Sequence, residues 1–210
     1  MWYIALVPVI LMLCDYLKAP IDRLYFQKPI RPFLGIRNTL IDILTFGSNF
    51  YIEDFPGLWV IEPNFRKILY EFKHVDAPKY YFHDLSPWFE HNEHYYYYKV
   101  KDFPFLNALI HSIPCIDKET GMFAVIDGPM KIPPHRAESN AQLRYHLTLE
   151  GDDSCVLYTD KGAHTHTTGE EFIFDHSRYH ELEKTGDRKR IVLILDIHRF
   201  TSYMPHSNSQ

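Results

Sequence analysis

A small set of side chains in the second half of the sequence has the types and spacing to hold a metal ion and an anion together. His135, Arg144 and His146 fall in one run, His135-Arg-Ala-Glu-Ser-Asn-Ala-Gln-Leu-Arg-Tyr-His-Leu-Thr-Leu149. A second block, Gly169-Glu-Glu-Phe-Ile-Phe-Asp-His-Ser-Arg-Tyr-His180, carries Asp175 and ends on another histidine. Arg190 then opens the apolar run Arg190-Ile-Val-Leu-Ile-Leu-Asp196. Neutral imidazole is a metal ligand, and the guanidinium fork matches a carboxylate. Two histidines from separate strands, with two arginines on the inward side, suit a divalent metal chelated by a dicarboxylate cosubstrate. Two histidines and a carboxylate with open positions opposite is the donor pattern of non-heme iron(II) oxygenases. His135 and His180 are the ligand candidates.

The elements that must position these residues read as strands. Leu143, Tyr145, Leu147 and Leu149 point one way, and Arg144, His146 and Thr148 the other. Arg190 shares its face with Val192, Ile194 and Asp196. Strands are expected near Met122–Asp127, Gln142–Leu149, Ser154–Thr159, Glu171–Phe174, His180–Glu183 and Arg188–Ile197. They are broken at Gly128-Pro129, Gly151-Asp152, Lys161-Gly162 and Gly186-Asp187. Short strands in succession without long helices indicate a mainly-β sandwich or jelly roll rather than a βαβ fold.

Upstream, Phe65, Ile68, Leu69 and Phe72 repeat at helical spacing after Pro63, and a second helix is expected over Pro104–Ser112, ended by Pro114. The aromatic stretch Tyr80–Lys99, with Trp88 and Phe89, reads as packed loop and strand; the functional alternative is one wall of a substrate cleft. Residues 18–55, with Pro20, Pro29 and Pro32, read as an extended connector with a short helix near Asn38–Leu44. Residues 1–17 form an apolar segment interrupted by Pro8. Its core, Trp2–Leu13, is shorter than the roughly 20 residues of a spanning helix. A membrane anchor, an interfacial segment and a buried packing helix are the open readings. As an anchor, it would leave the rest of the chain on the cytoplasmic side, because Lys18, Arg23, Lys28 and Arg31 follow it. The alternative location is the cytoplasm. The chemistry sits in a domain spanning 56–200, and 201–210 is a polar tail.

The formal net charge of −5, with scattered Lys and Arg, argues against a nucleic-acid partner. Three separated cysteines argue against a disulfide framework. Thirteen histidines make any single one weak evidence. His164 and His166 accordingly read as exposed loop histidines, with an accessory metal site as the lesser alternative.

The ordered set His135-Arg136, Leu143-Arg-Tyr-His-Leu147, Gly169-Glu170, Phe174-Asp175, His180-Glu181 and Arg190–Asp196 resembles the aspartyl/asparaginyl β-hydroxylase family. That family comprises iron(II)- and 2-oxoglutarate-dependent dioxygenases with a double-stranded β-helix (jelly-roll, cupin-like) fold. The likeness covers about Met122–Phe200, and Phe55–Pro114 is similar in layout to the family's helical lead-in. The resemblance implies that His135 and His180 ligate iron, with water completing the shell. It implies that Arg144 and His146 lie near the C1 carboxylate of 2-oxoglutarate and that Arg190 holds the C5 carboxylate; Asp175 is a candidate catalytic-site residue behind the iron ligands, with capping or orienting a turn as the alternative. The implied reaction consumes O2 and 2-oxoglutarate and hydroxylates an unactivated C–H of a peptide Asp/Asn side chain or a lipid acyl chain. The apolar N-terminus followed by basic residues is similar to the membrane-bound lipid A hydroxylase branch.

The chain also departs from the family pattern. His135-Arg-Ala137-Glu138 replaces the usual His-x-Gly-Pro, and Ala124 stands where relatives carry a carboxylate-binding serine. His176 follows Asp175 in place of an aspartate, and Thr165-His166-Thr167-Thr168 replaces a common tryptophan. These departures motivate the alternative of a catalytically silent jelly-roll binding module that retains the metal and 2-oxoglutarate pocket. A metal cupin without 2-oxoglutarate leaves Arg144 and Arg190 unexplained.

Overall fold

The computed structural model describes residues 2–18, 25–85 and 92–203. Trp88, Phe89 and Arg23 lie outside the described residues. The chain forms two compact units, Met1–Asn49 with Ala137–Ala141, and Phe50–Arg136 with Gln142–Gln210.

The larger unit is mainly β. Its strands are β1 (Tyr80–Tyr81), β2 (Tyr95–Lys99), β3 (Met122–Ile126), β4 (Met130–His135), β5 (Gln142–Glu150), β6 (Cys155–Thr159), β7 (Gly162–Thr165), β8 (Glu171–Phe174), β9 (His180–Lys184) and β10 (Arg190–His198). They form two antiparallel sheets, in the orders β1-β2-β3-β10-β5-β8 and β4-β9-β6-β7. The expected strands and their breaks are found. β1 and β2 fall in the aromatic stretch Tyr80–Lys99, read as packed loop and strand, and two further strands, β4 and β7, go beyond the expected set, each for a local reason. β4 contains Pro133 and Pro134, which cannot donate to a ladder, and its pairing with β9 shifts between Ile132 and His135. β7 is Gly-Ala-His-Thr and carries no apolar alternation.

The two faces of the six-stranded sheet serve different cores. Leu143, Tyr145, Leu147 and Leu149 of β5 join Ile191, Leu193, Leu195 and Ile197 of β10 on the outer face. The helical lead-in packs there: α3 (Phe65–His74) and α4 (Pro104–His111) contribute Ile68, Leu106 and Ile110. The inner face carries Ala124, Ile126, Val192, Ile194 and Phe174. These meet Ile132, Leu182, Cys155 and Leu157 of the second sheet. The strand period thus sends leucines toward the helices and Arg144, His146 and Thr148 toward the space between the sheets.

The smaller unit pairs α1 (Trp2–Leu17) with α2 (Arg31–Leu44). α1 runs through Pro8 without ending. α2 starts earlier than the expected Asn38, because Pro32 sits in its first turn, where a missing N–H costs no intrahelical bond. Polar groups lie inside this pair. The Asp15 carboxylate, 3% exposed, binds Arg31 Nη1 at 2.7 Å and the Tyr25 hydroxyl at 3.0 Å. Leu6, Val7, Ile10, Leu13, Phe33, Ile43 and Leu44 are exposed. Among the described residues, no helix is long and apolar enough to cross a membrane.

Glu71 links the two lead-in helices. Its buried carboxylate accepts the N–H groups of Phe105 at 2.6 Å and Leu106 at 2.9 Å, which are free donors at the start of α4. Glu71→Ala leaves both donors unmet and should cost about 1–3 kcal/mol of stability. Chemical denaturation checks this; an unchanged midpoint would show that the cap contributes nothing.

Candidate metal and carboxylate site

His135 and His180 face each other across the β4–β9 ladder as direct partners, with ring centroids 4.2 Å apart. The proline-induced register shift just before His135 brings it opposite His180. Each ring is fixed the same way. His135 Nδ1 donates to the Pro133 carbonyl at 2.9 Å, and His180 Nδ1 donates to the Arg178 carbonyl at 2.9 Å. With the proton on Nδ1, both Nε2 lone pairs are available, which is the tautomer a metal-binding imidazole needs. Burial and the neighbouring His135 push the His180 imidazole down to about 3, and burial pushes His135 below its usual range. His135 is exposed at its open edge, whereas His180 is buried. Both are neutral at pH 7 and competent as ligands. Among the described residues, no group of three His, Cys, Asp or Glu side chains converges on one point. These two imidazoles are the candidate donors that the ladder brings together.

Behind the pair lies a polar cluster on the inner faces of β5 and β10. Arg190, 2% exposed, opens β10. Its Nη2 donates to His166 Nε2 at 2.7 Å, and its Nε has no partner. Among the described residues, no carboxylate pairs with it. Burial lowers its affinity for a proton, but a guanidinium remains charged. His146 and Thr148, both buried, present Nε2 and Oγ1 without partners. Burial, with His166 and Arg190 nearby, holds His146 well below the usual histidine range. A buried cation among neutral imidazoles, with its own Nε–H and the Thr148 hydroxyl unmet, has the chemistry to accept an anion.

The remaining expected residues fall less simply. Arg144 lies directly opposite Asp196 and is held by it, Nε to Oδ1 at 2.9 Å and Nη2 to Oδ2 at 3.4 Å. Asp175 does not stand free beside the histidines. It pairs with buried Arg199 at 2.6 Å and accepts the backbone N–H and hydroxyl of Ser177. Burial raises its pKa, but Arg199 and Ser177 outweigh this and hold it below the usual range. Its observed work is to fix the turn before His180. His166 corrects a clear expectation. It is fully buried rather than in an exposed loop, and only His164, stacked on Phe172 at 4.4 Å, is partly open. Tyr95, pushed up to about 12 by burial, and His176 also belong to this interior, beyond the expected set. The period-two pattern of β2 alone gives Tyr95 no mark as a site residue.

Residues 85–200 match the family described as Aspartyl/Asparaginyl beta-hydroxylase. No curated protein matches the chain. Solved structures similar to it include a sugar phosphate isomerase from a cupin superfamily of Silicibacter pomeroyi. That likeness is 12% identical, covers 58% of this chain and 71% of that one, and has a TM-score of 0.40. A predicted oxalate decarboxylase from Thermotoga maritima is 15% identical over 37% of this chain and 64% of that one, with a TM-score of 0.32.

The buried histidines make stability depend on pH with a definite sign. Burial, with Arg144 close by, holds His176 at about 4, and His146 and His166 also lie well below the unfolded value of about 6.5. Below that value the unfolded chain binds protons that the folded chain refuses. Stability is therefore fully present above about pH 6.5 and falls as the pH drops toward 4. Urea denaturation of metal-free protein should show a midpoint that declines steadily over this window. A flat profile would mean that these imidazoles are not buried.

Proposed function

The chain belongs to the aspartyl/asparaginyl β-hydroxylase family, and from that premise we propose that it is an iron(II)- and 2-oxoglutarate-dependent dioxygenase on a double-stranded β-helix frame. The observation that carries this reading is Arg190, a buried cation without a carboxylate, in the same sheet interior as a pair of metal-competent histidines. Iron(II) with 2-oxoglutarate supplies the chemistry: O2 and the 2-oxo acid are consumed, succinate and CO2 leave, and one oxygen atom enters a substrate C–H bond.

The protein's own residues do the rest. His135 and His180 would hold the metal through Nε2, the nitrogen their Nδ1 hydrogen bonds leave available. Arg190 takes the distal carboxylate of 2-oxoglutarate. Arg144 and His146 line the proximal end; Asp196 takes the Nε hydrogen and one Nη2 hydrogen of Arg144 and leaves the second Nη2 hydrogen and both on Nη1. Asp175 acts at one remove, by holding the turn from which His180 projects. The apolar wall of Ile132, Leu182, Val192 and Ile194 keeps bulk water from the reacting centre.

The substrate is a peptide Asp/Asn side chain or a lipid acyl chain. The inverted polarity of the α1–α2 unit, apolar outside and charged inside, favours the lipid and an association with a membrane surface.

Anaerobic Fe(II) and 2-oxoglutarate should give a weak visible charge-transfer band in wild-type protein that is lost in His180→Ala, and oxygen should then yield succinate. A band without succinate would favour the silent binding module, and folded protein with neither would end the hydroxylase reading. Co-sedimentation with phosphatidylcholine–phosphatidylglycerol vesicles tests the lipid side. Binding should drop when Leu13 and Ile43 are both changed to Glu, and wild-type protein that stays in the supernatant would remove the reason for preferring a lipid.

A further inference from the structure

His166 lies at the junction of the cluster, and its hydrogen bonds can be assigned without seeing a hydrogen. Arginine only donates, so the 2.7 Å contact from Arg190 Nη2 makes His166 Nε2 an acceptor bearing no proton. The proton of neutral His166 is then on Nδ1, which faces Cys155 Sγ at 3.8 Å. His146 Nδ1 lies 3.2 Å from the same Nε2 and must therefore be a donor too. One lone pair thus receives two hydrogens, one from each end of the cluster. His146 is left with a bare, buried Nε2, and Arg190 with a buried Nε–H and the second hydrogen of Nη2.

The backbone holds His166 firmly. Its N–H donates to the Cys155 carbonyl at 2.8 Å. Its carbonyl passes so close to Gly151 that a β-carbon there would overlap it. Thr168 Oγ1 bonds both the N–H and the carbonyl of Gly151, and Gly169 N–H reaches the Thr148 carbonyl at 2.9 Å. This strap fixes the imidazole at 0% exposure.

We propose that His166 is a positioning residue that sets cosubstrate choice: by accepting one Nη2 hydrogen of Arg190 at a fixed place, it holds the guanidinium with its Nε–H and second Nη2 hydrogen aimed at the second carboxylate of a dicarboxylate. The inference rests on the reading that this interior takes a 2-oxo dicarboxylate beside a metal. A 2-oxo acid lacking the second carboxylate makes no use of the fixed Arg190 and gains nothing from His166.

The test compares 2-oxoglutarate with 2-oxobutyrate, both titrated calorimetrically into anaerobic Fe(II)-loaded protein. His166→Met keeps the volume but removes the acceptor, and His166→Gln restores a neutral acceptor. Losing one buried hydrogen bond to a charged group should weaken 2-oxoglutarate about tenfold or more in His166→Met, and leave 2-oxobutyrate within about threefold of wild type. His166→Gln should recover most of the loss. In ligand-free wild-type protein, 15N spectra of labelled histidine should show His146 and His166 as Nδ1–H tautomers. Wild type that binds neither acid ends the dicarboxylate reading, and this inference with it. Wild type that prefers 2-oxoglutarate while His166→Met keeps that preference, or loses both acids equally, overturns the inference alone. If circular dichroism shows His166→Met to be unfolded, His166→Gln and the tautomer spectra decide instead: Nε2–H signals from His166 overturn the inference.

Discussion

A guanidinium inside a protein must be compensated, and Arg190 is the charge around which the interior of the larger unit is arranged. Burying a cation without a counterion costs several kcal/mol unless hydrogen bonds and dipoles replace water. Arg190 finds a neutral imidazole rather than a carboxylate. Two carboxylates of the same interior are committed elsewhere: Asp196 to Arg144 and Asp175 to Arg199. This sorting leaves a positive potential at one place in the interior. Its effect is visible in His146 and His166, which that charge helps to keep unprotonated.

Strand periodicity makes such an interior possible. β5 and β10 each send one face into the lead-in helices and the other between the sheets. The outer face supplies apolar burial that does not depend on what the inner face carries. Polar side chains on the inner face can therefore gather, as Arg144, His146, Thr148, Arg190 and Asp196 do, without removing the core that fixes the strands. The register shift at Ile191/Val192 leaves Leu149 of β5 without a direct partner, one strand over from Arg190, which faces inward by plain alternation with Val192 and Ile194.

Much of this can be read from the residues alone, because alternation along Leu143–Leu149 states which side chains share a face. The order of His135, Arg144, His146, His180 and Arg190 names the candidate residues in the same way, and the two histidines do meet across the β4–β9 ladder. What escapes is of another kind. Pro133 and Pro134 signal a break by their chemistry, yet the flanking register shift lets the strand continue and places His135 opposite His180. His166 sits in a Thr-rich stretch without apolar alternation. Only the approach of Gly151 and the bond to Cys155 bury it. The partner of Arg144 is also hidden, since pairing with Asp196 depends on strand register rather than on sequence distance. Asp175 shows the reverse: its neighbours in sequence mark it, but its charge is engaged by Arg199, far along the chain.

The smaller unit obeys the opposite polarity, and the same physics explains why it still forms a defined pair. Apolar side chains that face outward cannot hold two helices together, because they gain nothing from each other's contact. The Asp15–Arg31 pair, with Tyr25 and Asn38 on the same carboxylate, supplies the attraction instead. Its members are 3% and 1% exposed, so neither charge can be satisfied by solvent if the other is removed. Gly35 lets this contact close, since any β-carbon there would overlap the Tyr25 hydroxyl. Buried ion pairs add little net stability but penalise every arrangement that separates them. In the larger unit a hydrophobic core fixes the fold, and Arg190 can stay buried with a neutral imidazole as its partner. In the smaller unit the charges are closed on each other and fix the helices, and the apolar surface is what remains open.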